Sequence, residues 1–112
     1  MPRFKLVFFA PVKTTSTILN HIFAKHPNHV GKIGEYDQCA FMTQGTGQFR
    51  PTANAKPAIG SKEQLEYVEE HRVEVLVYDE GDNEQIKAAV AELKKVHPYE
   101  EVAYDVYRLK DF

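Results

Sequence analysis

Two helical stripes, each cut off by a His-Pro pair, constrain this chain more than any other feature. Ile18, Leu19, Ile22 and Phe23 recur at i, i+1, i+4 and i+5 ahead of His26-Pro27, and Ile86, Ala89, Val90, Leu93 and Val96 keep a 3.6-residue period ahead of His97-Pro98. Proline biases its preceding residue away from the helical region, so the helices are expected to end near His26 and His97. Each stripe follows a strand-like run. FKLVFFA (4–10) is almost continuously apolar from Leu6 to Ala10, as in a central strand covered on both faces. LEYVEEHRVEVLVYDE (65–80) alternates, with Val73, Val75 and Val77 on its core side.

The segments between are read the same way. YDQCAFMTQGTGQF (36–49) predicts a long strand in which Cys39, Phe41 and Phe49 share parity, with Gly45 and Gly47 marking a bulge or a close backbone approach. Residues 28–34 and RPTANAKPAIGSK (50–62) predict loops, and Val102 to Leu109 the last strand. Thr14, Thr15 or Ser16 is expected to cap the first helix. Asp82 is expected to open the second, with Gln85 three residues on as in a capping box. The order β-α-β-β-α-β with right-handed crossovers predicts an α+β, ferredoxin-like antiparallel sheet carrying both helices on one face. At 112 residues the chain is expected to form one domain, residues 1–112. Phe4, Leu6 and Phe8 fall on one side of the first strand, Val7 and Phe9 on the other. With seven phenylalanines and six tyrosines in the chain, this leaves apolar sheet surface that predicts sheet-to-sheet homo-oligomerisation.

Composition excludes several classes of partner. A net charge of −2 gives no broad basic surface, so nucleic acid is not an expected partner. The basic start MPRFK precedes an apolar run interrupted by Lys5 and closed by Pro11, too short and broken for a signal peptide or a membrane span. One cysteine, Cys39, excludes an internal disulfide, and it has no CxxC neighbour. These features predict a soluble, cytoplasmic protein.

GEYDQCAFMTQGTGQFRPTANAKPAIG (34–60) and HPYEEVAYDVYRL (97–109) carry a more specific signal. Gly34, Tyr36, Cys39, Phe41, Gly45, Gly47, Phe49, Pro51, Ala55, Pro57, Ile59 and Gly60 resemble, with His97 to Glu101, Ala103, Tyr104 and Asp105, the domain inserted in Nif-three-like (YqfO-type) dinuclear-metal proteins. That domain in turn resembles the trimeric CutA and PII proteins. The resemblance implies a free-standing version of the inserted domain, with a CutA/PII-like fold and a homotrimer. The metal-binding His, Asp and Glu of the full-length relatives lie in flanking halves, so their hydrolase activity does not carry over. Val102 also stands where the family often has proline.

Two stretches are candidate binding sites. In HPYEE, Pro98 restricts the backbone so that His97, Tyr99, Glu100 and Glu101 are held in a definite geometry. An imidazole beside carboxylates can hold a divalent metal, making His97, Glu100 and Glu101 the candidate ligands, or act as an acid–base pair. The plainer alternative has His97 at the helix C-terminus, Tyr99 capping the core and the glutamates facing water. In the second stretch, Gly45, Gly47 and Arg50, with Lys56 or Lys62, can cradle an anion, although the stretch lacks a Walker loop's lysine and hydroxyl and a bulge explains the glycines. Cys39 reads as buried packing, and as a nucleophile it would need His71 or His97 as base. Glu66, Glu69, Glu70 and Glu74 read as a solvated edge, and His21, His26 and His29 as surface residues. The leading expectation is a non-enzymatic trimer binding a small ligand or divalent metal through Gly45, Gly47, Arg50, His97, Tyr99, Glu100 and Glu101. A hydrolase using His97 with Glu100 or Glu101, and an adaptor docking on a larger protein, are the alternatives.

Overall fold

The computed structural model describes all residues, Met1–Phe112. Strand β1 (Arg3–Pro11) leads through a short 3-10 turn (Val12–Thr14) into helix α1 (Thr15–Lys25). Strands β2 (Phe41–Phe49) and β3 (Glu66–Tyr78), helix α2 (Glu84–Val96) and strand β4 (Tyr104–Leu109) follow. The sheet order is β2-β3-β1-β4, with every pair antiparallel, which is the expected α+β arrangement with β1 central. Phe4, Leu6 and Phe8 stand opposite Val77, Val75 and Val73, and this face packs with Ile18, Leu19, Ile22 and Phe23 of α1 and Ile86, Ala89 and Leu93 of α2 in one core. The other face has no helix over it. Val7 and Leu76 are buried there outside the main core, while Phe41 and Tyr107, which share that face by register, are 67% and 50% exposed.

Pairing between β1 and β3 ends at Pro11 opposite Glu70, whereas β2 and β3 continue to Phe49 opposite Glu66. The last residues of that hairpin therefore form a two-stranded arm beyond the four-stranded sheet, with Leu65 and Tyr67 exposed on it. The molecule is elongated, 45 × 26 × 25 Å.

Several boundaries differ from the sequence reading. β2 begins at Phe41 rather than Tyr36, because the preceding residues fold back on the α1–β2 connection: Cys39 N donates to Gly31 O at 2.8 Å, and Ile33 and Tyr36 exchange backbone hydrogen bonds. Gly31 has φ +76°, and a Cβ on it would lie 2.5 Å from Phe23 Cε1 and 3.1 Å from the Cys39 backbone, so glycine is required at this closure. Gly45 and Gly47 make no bulge, since the β2–β3 register is one-to-one throughout. Close approach is the correct reading at Gly47, where a Cβ would collide with the Glu70 carboxylate. β4 starts at Tyr104 instead of Val102.

Neither helix start uses its expected cap. Thr14 and Thr15 hydroxyls donate back to Pro11 O and accept nothing from the α1 backbone. α2 begins at Glu84, and no Asp82–Gln85 box forms: Asp82 accepts from Glu84 N, while Gln85 Oε1 accepts from Glu80 N. The group that organises this end is Asp79, fully buried, whose Oδ1 accepts from Gly81 N and Asn83 N at 2.8 and 2.9 Å and whose Oδ2 accepts from Ile86 N at 3.0 Å. Burial pushes its carboxyl up, but the backbone donors, Gly81 foremost, outweigh that and hold it below the ordinary value. The acidic strip is an edge only in part: Glu70 and Glu74 lie where β3 is flanked by β2 and β1, whereas Glu66 and Glu69 sit on the two-stranded arm, where β3 pairs with β2 alone. The three histidines are half-buried: His29 Nε2 bonds Glu80 at 2.9 Å, and His21 Nε2 lies 3.3 Å from Glu92, linking α1 to α2.

Candidate functional site

Pro98 ends α2, and His97, extended at φ −70° and ψ 139°, turns its side chain inward. Its Nε2 lies 2.7 Å from Phe9 O, and its Nδ1 accepts from Tyr99 N at 3.1 Å. The carbonyl can only accept and the amide can only donate, so the ring carries its proton on Nε2 and both nitrogens are engaged. Burial holds the imidazole below its ordinary value of 6.5, against the Phe9 carbonyl and the Glu70 charge, which favour the cation. His97 is therefore a buried, neutral strut between β1 and the turn after α2.

The strut positions Tyr99. The two rings meet edge-on at 4.9 Å, and on its other flank the Tyr99 ring lies 6.0 Å from that of Phe49 at the end of β2. The Tyr99 hydroxyl donates to Glu70 Oε2 at 2.9 Å. Burial first, then the Glu70 carboxylate, pushes the phenol well above its usual value, so it stays a donor. Glu70 leans across β2 into the space that the missing Gly47 side chain leaves. Glu100 Oε1 accepts from Lys56 N at 2.6 Å, tying the β2–β3 loop to the turn after α2.

Between that loop and that turn lies a cleft of about 420 Å³, within the range of small-molecule sites. Five of the predicted binding residues line it: Gly47, Arg50, Tyr99, Glu100 and Glu101. His97 stands behind Tyr99 rather than on the surface, and Gly45 lies further up β2, outside the lining. His97, Glu100 and Glu101 do not form a group able to hold a metal ion. An acid–base role for His97 would first require breaking both of its backbone bonds. Cys39 Sγ donates to Asp37 O at 3.7 Å, and His71 Nδ1 is paired with Thr15 Oγ1 at 2.8 Å.

Sequence reasoning missed Glu70 and Phe9 as lining residues, while Phe49 falls within the expected Gly45 to Gly60 wall. Parity carried part of the signal: Glu70 shares its sheet face with Phe9 and with the glycines of β2. What parity cannot give is the diagonal lean over Gly47, which depends on the register of the hairpin.

No protein-family model matches the chain. Among curated proteins it is similar to the GTP cyclohydrolase 1 type 2 homolog of Halalkalibacterium halodurans, 40% identical over 106 residues that make up 95% of this chain and 27% of that protein. It is also similar to the Bacillus subtilis protein of the same name, 47% identical over 77 residues, 69% of this chain and 20% of that protein. The chain thus spans about a quarter of the length of the curated relatives it matches. Among solved structures, a Bacillus cereus protein related to NIF3 superposes with a TM-score of 0.77 and 33% identity over 98% of this chain and 26% of that one. The periplasmic divalent cation tolerance protein CutA from Archaeoglobus fulgidus superposes at 0.66 with 13% identity, over 98% of this chain and 86% of that one, a likeness of fold alone.

Proposed function

We propose, from homology to one segment of NIF3-related proteins carried on a CutA-type fold, that residues 1–112 act as a single non-enzymatic domain that binds a small ligand in the cleft beside Tyr99. One observation carries the reading: two stretches remote in sequence, Gly47 to Ile59 and Tyr99 to Ala103, converge on one cleft and are locked together by the Glu100 bond to Lys56 N. A divalent metal is the less favoured ligand, because His97 has no free nitrogen to offer. A thermal-shift screen of metabolites tests this. A ligand at a hundred times its Kd is expected to add about 2.7 kcal/mol of stability by mass action. Ala103→Trp, which fills the cleft, is expected to abolish the shift. A shift that survives Ala103→Trp places the ligand elsewhere and rejects the site.

The same reading has the chain working as a cytoplasmic homotrimer, joined through the sheet face that no helix covers. Phe41 and Tyr107 stand exposed on that face, and Val7 and Leu76 give it an apolar centre. Native mass spectrometry at micromolar concentration is expected to give a trimer, and Phe41→Glu combined with Tyr107→Glu a monomer. A wild-type spectrum of monomer alone rules the trimer out.

A further inference from the structure

We infer that the cleft takes an organic cation, an ammonium or guanidinium on an apolar body, with its charge at Glu70 and its body against the wall that the packed Phe49 and Tyr99 rings form. This rests on the small-ligand reading and names the ligand class. Three carboxylates line the cleft, Glu70, Glu100 and Glu101, against one cationic side chain, Arg50. The expected anion cradle is not built there: Gly45 and Gly47 sit in a regular ladder, and neither Lys56 nor Lys62 contributes to the lining. An anion entering the cleft would meet an excess of like charge.

Glu70 is the half-buried member of the three, so its charge is the least screened by water. Tyr99 occupies only its Oε2, and Oε1, lying over Gly47, keeps its acceptor capacity for a ligand N–H. The aromatic walls suit the same class, since a cation near a ring face is drawn to the ring quadrupole. Beside the cleft, Arg72, which does not line it, already stands 5.8 Å from the centroid of Phe9; counting it leaves three carboxylates against two cations, and leaves Phe49 and Tyr99 as the rings open to a ligand cation. Apolar surface from Pro57 and Ile59 completes a place for the ligand body.

The test uses one body with three charges. The ¹⁵N-labelled full chain is titrated with phenethylamine, 2-phenylethanol and phenylacetate, with agmatine and GTP as a larger cation and anion, while the Gly47, Lys56 and Tyr99 amides are followed by NMR. Phenethylamine is expected to shift all three amides with a Kd about tenfold below that of 2-phenylethanol, and phenylacetate and GTP to leave them unmoved. Glu70→Gln keeps an acceptor for the Tyr99 hydroxyl but removes the charge. It is expected to raise the phenethylamine Kd about tenfold while the rest of the spectrum is preserved. Equal binding of the alcohol, or tighter binding of phenylacetate or GTP, overturns the cation assignment and leaves a small-ligand cleft standing. If no member of the panel moves the three amides, the cation assignment is overturned, and the small-ligand reading is decided separately by the metabolite screen and Ala103→Trp.

Discussion

Replacing Asp79 by alanine is expected to cost about 3 kcal/mol of folding stability, lowering Tm by roughly 10–20 °C. Its carboxylate is fully buried and takes three backbone N–H donors at the turn into α2. Gly81 and Asn83 are exposed, so water can replace the partner they lose, but Ile86 is buried and its N–H would be left unpaired. The negative charge also sits at the positive end of the helix dipole, which adds to the loss. Asp79→Asn keeps one acceptor oxygen without the charge and is expected to cost about half as much. The pH dependence has a definite sign. A carboxyl held below its ordinary value of 3.8 gives its full stabilisation above that value and loses it as pH falls through the depressed folded value. The difference between wild type and Asp79→Ala, followed by urea denaturation, is therefore expected to be constant from pH 7 to 5 and to shrink below about pH 3.8. A gap that stays constant into strong acid rejects Asp79 as the ionised cap.

Asp79 also marks where reading the sequence reaches its limit. Both helices and the four strands were legible because their apolar periods are set by burial, and burial is what the core delivers: Ile18, Leu19, Ile22 and Phe23 all lie in it. The caps were not, because Asp82 and Gln85 have the spacing of a capping box while the chain path puts Asp79 on Asn83 N and Ile86 N, Asp82 on Glu84 N and Gln85 on Glu80 N. The start of β2 was missed for a related reason. Residues 36–40 have strand-like composition, but the Gly31 closure to Cys39 N claims the backbone that a ladder would need. Of the candidate site, the resemblance located both walls of the cleft. The inward turn of His97 and the lean of Glu70 depend on tertiary packing, which no local pattern encodes.

That turn gives the second large effect. His97→Ala is expected to cost about 3 kcal/mol: it empties a packed site and leaves Phe9 O and Tyr99 N without partners. The buried neutral ring also makes the fold pH-sensitive in a range where few side chains titrate. Its folded value lies below the ordinary 6.5, so the unfolded chain binds the proton first, and stability falls as pH drops below about 6.5 until the depressed folded value is passed. The slope contributed is at most about 1.4 kcal/mol per pH unit. His97→Gln keeps a donor and an acceptor without a titrating group, so the stability gap between wild type and this variant is expected to narrow between pH 6.5 and 5. A gap that holds constant over that range shows that His97 is not held neutral. Because His97 carries Tyr99, and Tyr99 carries the Glu70 bond, acid is also expected to loosen the cleft before it unfolds the chain. The Tyr99 and Gly47 amides should then shift at a higher pH than those of the α1 core. Simultaneous movement of all of them would mean that the imidazole supports the whole fold equally, with no separate hold on the site.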